Sequence, residues 1–283
     1  MKVGLVLEGG AMRGLYTAGV LDVMMDNHIK VDGIIGSSAG ALFGVNYFSK
    51  QRGRVIRYNK RFCNDKRNIS IRSLITTGNI INKDFAFYKV PFELDIFDDE
   101  EYIKNNTGYL ATATNVETGK AEYLEVNSVF KDMEVLRASS AIPLLSKMVE
   151  IDGKKYLDGG IGDSIPVEKM LELGYDKVIV ILTQPLGYKK ESLGSKKENL
   201  VKLKYKKYPK FVQAMLDRYV RYNKCLENIE DLEKANKIFV IRPKEKLNIS
   251  VMERDKEKLQ RIYAVGVNIA NEKIENLKEY IKG

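Results

Sequence analysis

The chain has a single histidine, His28, among its 283 residues, and this scarcity limits its chemistry more than any other feature of composition. A serine or cysteine nucleophile ordinarily takes its base from a neighbouring imidazole. Any nucleophile here must be served by His28 or by a carboxylate. His28 lies in the polar stretch Asp26-Asn27-His28 that closes the first expected helix. Positive charge is favoured there for its own reasons, and nothing in the spacing aims the ring at a catalytic turn. Cysteine is nearly as rare. Cys63 and Cys225 are too few for a disulfide framework and show no metal-ligand spacing, which reads as free thiols in a reducing compartment. No run reaches the roughly 18 consecutive apolar residues of a spanning helix. The chain begins with a strand-like run rather than the charged and apolar regions of a signal peptide. The expectation is a cytoplasmic protein, peripheral at most to the inner membrane surface.

What is abundant is charge. Lys and Arg number 47 against 38 Asp and Glu, a formal +9, which suits an anionic surface such as phospholipid headgroups or nucleic acid, or else a solvated lysine face. Apolar residues at 44% and charged residues at 30% fit a soluble globular chain long enough for one large domain, or one domain with an attached cap.

The sequence is organised around Gly36-Ser37-Ser38-Ala39-Gly40. An apolar run at residues 31–35 precedes it and a helix-like stretch at 39–48 follows, so a strand must reverse into a helix with Ser38 at the tip. Gly36 and Gly40 let the helix pack closely against the strand while the serine oxygen is pushed clear of the sheet, which is the G-x-S-x-G elbow. A tight turn with a capping serine would leave the same pattern. If Ser38 is a nucleophile, the scarcity of histidine makes its base a carboxylate on a rigid turn, and Asp158-Gly159-Gly160, after a predicted hairpin at 148–157, offers one.

A second glycine-rich loop, Glu8-Gly9-Gly10-Ala11-Met12-Arg13-Gly14, joins a buried strand at 3–7 to a helix at 15–25. Strand, glycine loop and helix gather backbone N–H groups into an anion site. A dinucleotide fingerprint fails at Ala11, and a P-loop would need a lysine followed by serine or threonine. An oxyanion hole needs only main-chain donors, which Gly10 and Ala11, with Ala39 after the serine, can supply. Parallel strands with right-handed crossovers would bring both loops to one sheet edge. Arg13 is expected to pair with Glu8 or another structural carboxylate, with phosphate binding as the less favoured use.

Elsewhere, residues 50–72 read as a basic helix with a solvated face, or else as a lipid or nucleic-acid patch. Aromatics at Phe85, Phe87, Tyr88, Phe92 and Phe97 read as core or loop anchors, some of them able to wall an acyl pocket. Strands are expected at 109–114, 120–126, 177–182 and 237–241, and helices at 130–140, 166–173, 211–232 and 255–281. Residues 189–210 carry nine lysines against Glu191 and Glu198. They read as a mobile lid-like segment drawn to anionic lipid, or as a solvated linker.

The motifs Glu8 to Gly14, Gly36 to Gly40 and Asp158 to Gly160, in that order and spacing, together with Ala138-Ser139-Ser140-Ala141-Ile142-Pro143, resemble those of patatin-like phospholipases across residues 2–185. The resemblance implies a three-layer α/β/α fold with a mostly parallel central sheet over residues 1–185, and residues 186–283 as a lysine-rich segment and helical extension packing on the same domain. It implies hydrolysis of acyl esters in lipids by a Ser-Asp dyad, with Ser38 as nucleophile and Asp158 as base. The oxyanion hole would be drawn from Gly9, Gly10, Ala11, Met12, Arg13, Gly14 and Ala39. No cofactor, metal or nucleic acid is implied, and the partner is a phospholipid or other acyl-ester lipid, with transient contact to an anionic membrane. The chain departs from the family at Glu8 and Ala11, where Asp or Gly and a third Gly are common. Two other readings remain: a serine hydrolase or acyltransferase that recruits His28, and a non-catalytic protein that binds anionic membrane.

Overall fold

The computed structural model describes all 283 residues. In chain order the elements are β1 (Val3–Leu7), α1 (Gly14–Asp26), β2 (Gly33–Ser37), α2 (Ala39–Phe48), α3 (Arg54–Phe62), α4 (Ile71–Thr77), a π-helix (Lys83–Leu94), α5 (Asp99–Asn105), β3 (Tyr109–Asn115), β4 (Ala121–Glu125), α6 (Met133–Ser139), β5 (Val149–Ile151), β6 (Lys154–Asp158), α7 (Val167–Glu172), β7 (Lys177–Ile181), α8 (Ser195–Lys204), α9 (Pro209–Leu216), α10 (Arg218–Lys234), β8 (Ile238–Ile241) and α11 (Lys256–Lys282).

One eight-stranded sheet runs through the molecule. Strands β2, β1, β7 and β8 are successive parallel neighbours, and β3 joins β2 in parallel. The central strands are apolar on both sides because each pleat face is covered. Leu5, Leu7, Ile34, Ile179 and Ile181 point into a core shared with α1, α2 and α11. Val6, Ile35, Val178 and Val180 point the other way, onto Ile165, Met170, Tyr222 and Ile229 from the α7 and α10 side. Side-chain alternation thus divides one set of strands between two cores and produces three layers.

The register of β3 places the candidate residues. Strand β4 lies antiparallel along one edge of β3, from Leu110 to Thr114. The other edge is shared: β2 occupies it up to Ser37 opposite Thr112, and antiparallel β6 takes over with Asp158 opposite Ala113. The two strands meet end to end, so the residue after β2 and the last residue of β6 are neighbours.

Helix α11 buttresses this arrangement. Its buried residues, among them Leu259, Ile262, Tyr263, Gly266, Ile269, Ala270, Ile274 and Leu277, recur at helical spacing. It crosses α1 so closely that a Cβ at Gly266 would lie 2.0 Å from Tyr16 O, and one at Gly19 would lie 2.3 Å from Tyr263 O.

Three expectations are corrected, and one stretch takes a form that the sequence did not signal. Residues 189–210 contribute the docked helix α8 and the start of α9: Val201, Tyr205 and Phe211 are buried in a core with Ala138, Val149 and Leu157, and the Tyr205 hydroxyl accepts from Leu144 N at 2.9 Å. The lysines hid this because Val201 is the only residue of α8 that is buried. The helix expected at 211–232 is broken at Asp217, between α9 and α10. The basic stretch after α2 is not uniformly solvated. Arg54 is buried, its Nε 3.1 Å from Asp95 Oδ1, and Arg57 holds the same carboxylate with two bonds of 2.8 and 2.9 Å. The aromatic stretch is a wide helix with Pro91 inside it, and Asp95 N closes its last turn on Val90 O, five residues back.

Candidate active site

Ser38 turns the chain from β2 into α2 with φ 53° and ψ −121°, a sparsely populated backbone conformation for a residue with a side chain. The turn survives because its neighbours leave no room for anything else. A Cβ at Gly40 would lie 2.5 Å from Leu7 O, and one at Gly36 would lie 2.6 Å from Ala41 N. The strain projects Ser38 Oγ off the sheet edge, where it donates to Asp158 Oδ2 at 2.6 Å. Asp158 Oδ1 accepts from Gly160 N at 2.8 Å. Burial pushes the Asp158 carboxyl above its ordinary range, and the bond from Ser38, the positive charge of Arg218 and the Gly160 N–H oppose that rise in part.

The stretch before β5 holds both backbones. Ser139 Oγ, at the end of α6, accepts from Ser38 N at 3.0 Å. Two residues on, Ala141 O accepts from Asp158 N at 2.9 Å. Thr114 Oγ1 donates to Asp158 O at 2.8 Å and accepts from Gly162 N at 2.9 Å, so the turn through Gly159 is tied to β3.

The loop after β1 lies alongside. A Cβ at Gly9 would come within 3.1 Å of Ser38 Cβ. Gly9 N donates to Ser164 O and Arg13 N to Gly10 O, while Gly14 N turns back on Ala11 O and Met12 O. The N–H groups of Gly10, Ala11 and Ala39 donate to no protein acceptor. Ala11 holds φ 48°, the left-handed region where glycine would be unstrained. Glu8 does not pair with Arg13. Its buried carboxylate accepts from Thr183 N and, at 2.6 Å, from the Tyr222 hydroxyl, whereas Arg13 Nε donates to Thr183 Oγ1 at 3.3 Å.

From Ser38 an apolar cavity of about 160 Å³ opens under α2, α3 and the π-helix. Twenty of its 26 lining residues are hydrophobic, Leu42, Phe43, Phe87, Val90, Phe97 and Leu136 among them. Phe87 and Phe97 are therefore wall residues, while Phe85 packs on Phe62 away from the main core. His28 is exposed and precedes β2, at the sheet end opposite the one where Ser38 follows it. Sequence reading missed Arg218, Lys190 and Tyr222, which come to this edge from beyond β7 without any local motif. Ser139 did lie in a motif already singled out, but its bond to Ser38 N had no signal in the sequence.

A family model described as patatin-like phospholipase matches residues 5–171, and one described as a domain of unknown function (DUF6363) matches residues 208–282. An uncharacterized protein, YjjU of Escherichia coli K12, is 30% identical over 194 residues, covering 65% of this chain and 52% of that protein. Lysophospholipase NTE1 of Scheffersomyces stipitis is 26% identical over 284 residues, covering 95% of this chain and 18% of the fungal protein. The chain thus spans about half the length of the first relative and under a fifth of the second. The crystal structure of VipD from Legionella pneumophila aligns with 97% of this chain and 67% of its own at a TM-score of 0.46 and 15% identity. With its three motifs meeting at one sheet edge and a family model running through more than half its residues, the chain belongs to the patatin-like phospholipase family.

Proposed function

We propose that the protein is a lipid acyl hydrolase that works through a Ser38–Asp158 dyad. The observation that carries this reading is the 2.6 Å bond from Ser38 Oγ to Asp158 Oδ2, made beside an apolar cavity and unpaired main-chain donors. Asp158 takes the Ser38 proton as Oγ attacks the acyl carbonyl carbon. The tetrahedral oxyanion lies against the N–H groups of Gly10, Ala11 and Ala39. Collapse breaks the bond to the alcohol oxygen, which leaves with the proton from Asp158. Water, deprotonated by Asp158, then releases the acyl group as a carboxylic acid. The cavity takes the acyl chain. The exposed position of His28 favours this dyad over a triad, and the bonded, strained Ser38 favours catalysis over a purely binding role.

Lipid is reached at an anionic surface. On α8 the side chains of Leu200 and Leu203 are 49% and 70% exposed among lysines, which presents apolar side chains and positive charge together to such a surface. A fluorophosphonate probe tests the hydrolase reading: it should label the wild-type chain and leave Ser38→Ala unlabelled, and a wild-type chain that resists labelling would sink it.

A further inference from the structure

The loop at residues 8–14 has two sides. Ala11 and Met12 line the apolar cavity. Gly10 and Arg13 face Thr183, and a Cβ at Gly10 would lie 2.8 Å from Thr183 Oγ1. On this second side, cations collect without carboxylate partners. Arg218, the first residue of α10, approaches Gly160 so closely that a Cβ there would lie 2.9 Å from its Nη2 and 3.0 Å from Asp158 Oδ1. Guanidinium and candidate base therefore flank one glycine. Arg218 Nη2 donates weakly to Ser164 Oγ at 3.3 Å, and its Nε is buried with no acceptor. Ser164 is also the residue whose carbonyl anchors Gly9.

Lys190 comes from the segment after β7. Its backbone is clamped to Asn223 by two bonds of 2.8 and 3.0 Å, which fixes its Nζ 4.6 Å from the centre of the Tyr222 ring, one turn along α10 from Arg218. Neither Arg218 nor Lys190 forms an ion pair, and nor does Arg13. The nearby carboxylates are engaged, Glu8 with Thr183 N and Tyr222, and Asp158 with Ser38 and Gly160 N. Burial, and after it Arg218, holds the Lys190 ammonium down to about 8; Glu8 pulls it upward and Arg13 adds a smaller downward push. Half-buried positive charge without a counter-ion is costly, and a bound anion would relieve it.

We propose that Arg218 and Lys190 form an anion subsite across the residue 8–14 loop from the acyl cavity, taking the phosphate group of the lipid whose ester meets Ser38. The inference rests on the hydrolase reading. It adds that residues beyond the patatin-like segment set specificity. An amphipathic substrate then spans the loop, its chain in the apolar cavity and its phosphate, a few bonds from the scissile ester, against the two cations.

The test compares kcat/KM of the full chain for oleoyl lysophosphatidylglycerol and for monooleoylglycerol in the same neutral micelles. It also measures inhibition of p-nitrophenyl butyrate turnover by inorganic phosphate. In Arg218→Gln and in Lys190→Gln the phosphate-to-neutral ratio should fall at least tenfold. If the ratio holds but inhibition by inorganic phosphate weakens tenfold, the site stands with free phosphate as its ligand. If neither moves, the proposal is overturned. Should Arg218→Gln fail to fold, Lys190→Gln carries the same comparison, since its side chain lies over a ring rather than under the turn. If the wild type cleaves no ester, the hydrolase reading fails by itself. Calorimetric titration of inorganic phosphate then decides the subsite: binding lost in the variants supports it, and equal binding overturns it.

Discussion

Ser38 and Asp158 stand 120 positions apart in the chain, yet the serine Oγ donates to the aspartate Oδ2 at 2.6 Å. Strand β3 makes the meeting possible by presenting Thr112 to the end of β2 and Ala113 to the end of β6. The first prediction tests the carboxylate as base. Asp158→Asn keeps the shape and removes the proton acceptor, so turnover of p-nitrophenyl butyrate should fall by about 10²- to 10⁴-fold. Because burial raises the Asp158 pKa, the wild-type rate should decline, as pH is lowered, at values above the ordinary aspartate value of about 3.9. The sign follows from the protonated acid being unable to accept from Ser38. A kcat/KM profile lacking this acid limb would remove Asp158 from the role.

Ser139→Ala tests the support beneath the nucleophile. It leaves the buried Ser38 N–H without the acceptor it has at 3.0 Å. An unsatisfied buried donor costs about 1–3 kcal/mol, and here the cost falls on a turn already strained. Urea denaturation should register a loss in that range. The kcat for p-nitrophenyl butyrate should drop about tenfold or more while KM changes little, since the serine is displaced and the cavity is not.

The glycines and Ala11 make opposite predictions. At Gly40 an added methyl would meet Leu7 O at 2.5 Å and Glu8 O at 2.9 Å, both main chain and both in the segment that carries the candidate oxyanion donors. Gly40→Ala should cost at least about 1–3 kcal/mol. At Ala11, with φ 48°, the methyl is the strained choice. Ala11→Gly should leave the melting temperature unchanged or raise it, by up to about 1 kcal/mol in stability, and fluorophosphonate labelling should persist. A clear loss of stability in Ala11→Gly would show that the methyl contributes packing, not strain.

How much of this was legible depended on how local each signal was. The elbow, the glycine loop and the Asp-Gly-Gly turn are contiguous strings whose residue types follow from backbone geometry, and the parallel core strands are short apolar runs. These could be read directly. The bond from Ser38 N to Ser139 Oγ is a tertiary fact without a local pattern. The π-helix was hidden because its apolar residues follow neither the helical nor the strand period and it contains Pro91. The docking of α8 and α9 was masked by lysine, since Val201 on α8, Tyr205 after it and Phe211 on α9 hold down a surface that is otherwise charged. Arg218 was the hardest to see. It became a neighbour of Asp158 only because the expected helix breaks at Asp217 and starts again beside Gly160.

Leu42 tests the acyl cavity. It lies one turn into α2 from Ser38, lines the cavity, and closes the helix by donating its N–H to Ser38 O at 3.1 Å. Leu42→Trp should fill space close to the serine that a long chain would occupy. The kcat/KM ratio of p-nitrophenyl dodecanoate to butyrate is expected to fall at least tenfold. An unchanged ratio would place the acyl chain elsewhere.

The final prediction concerns the cavity's one deeply buried charge. Arg54 is closed in on all sides: its Nε lies 3.1 Å from Asp95 Oδ1, its Nη1 donates to Asn46 Oδ1 at 3.1 Å and its Nη2 to Asp95 O at 2.5 Å, and its guanidinium carbon sits 5.3 Å from the ring centres of both Tyr58 and Phe97. Burial lowers its pKa, with Tyr58 and Asp95 among the groups that resist the shift. The half-exposed Arg57 shares Asp95, so one carboxylate fixes α3 to the end of the π-helix and with it two walls of the cavity. Removing one partner of a buried pair strands the other charge, typically at about 3–5 kcal/mol. Asp95→Ala should show a loss of that order in urea denaturation, whereas Arg57→Ala, which leaves Arg54 paired, should cost about 1 kcal/mol or less. Equal losses in the two variants would mean that Arg54 is held by its aromatic neighbours rather than by the carboxylate.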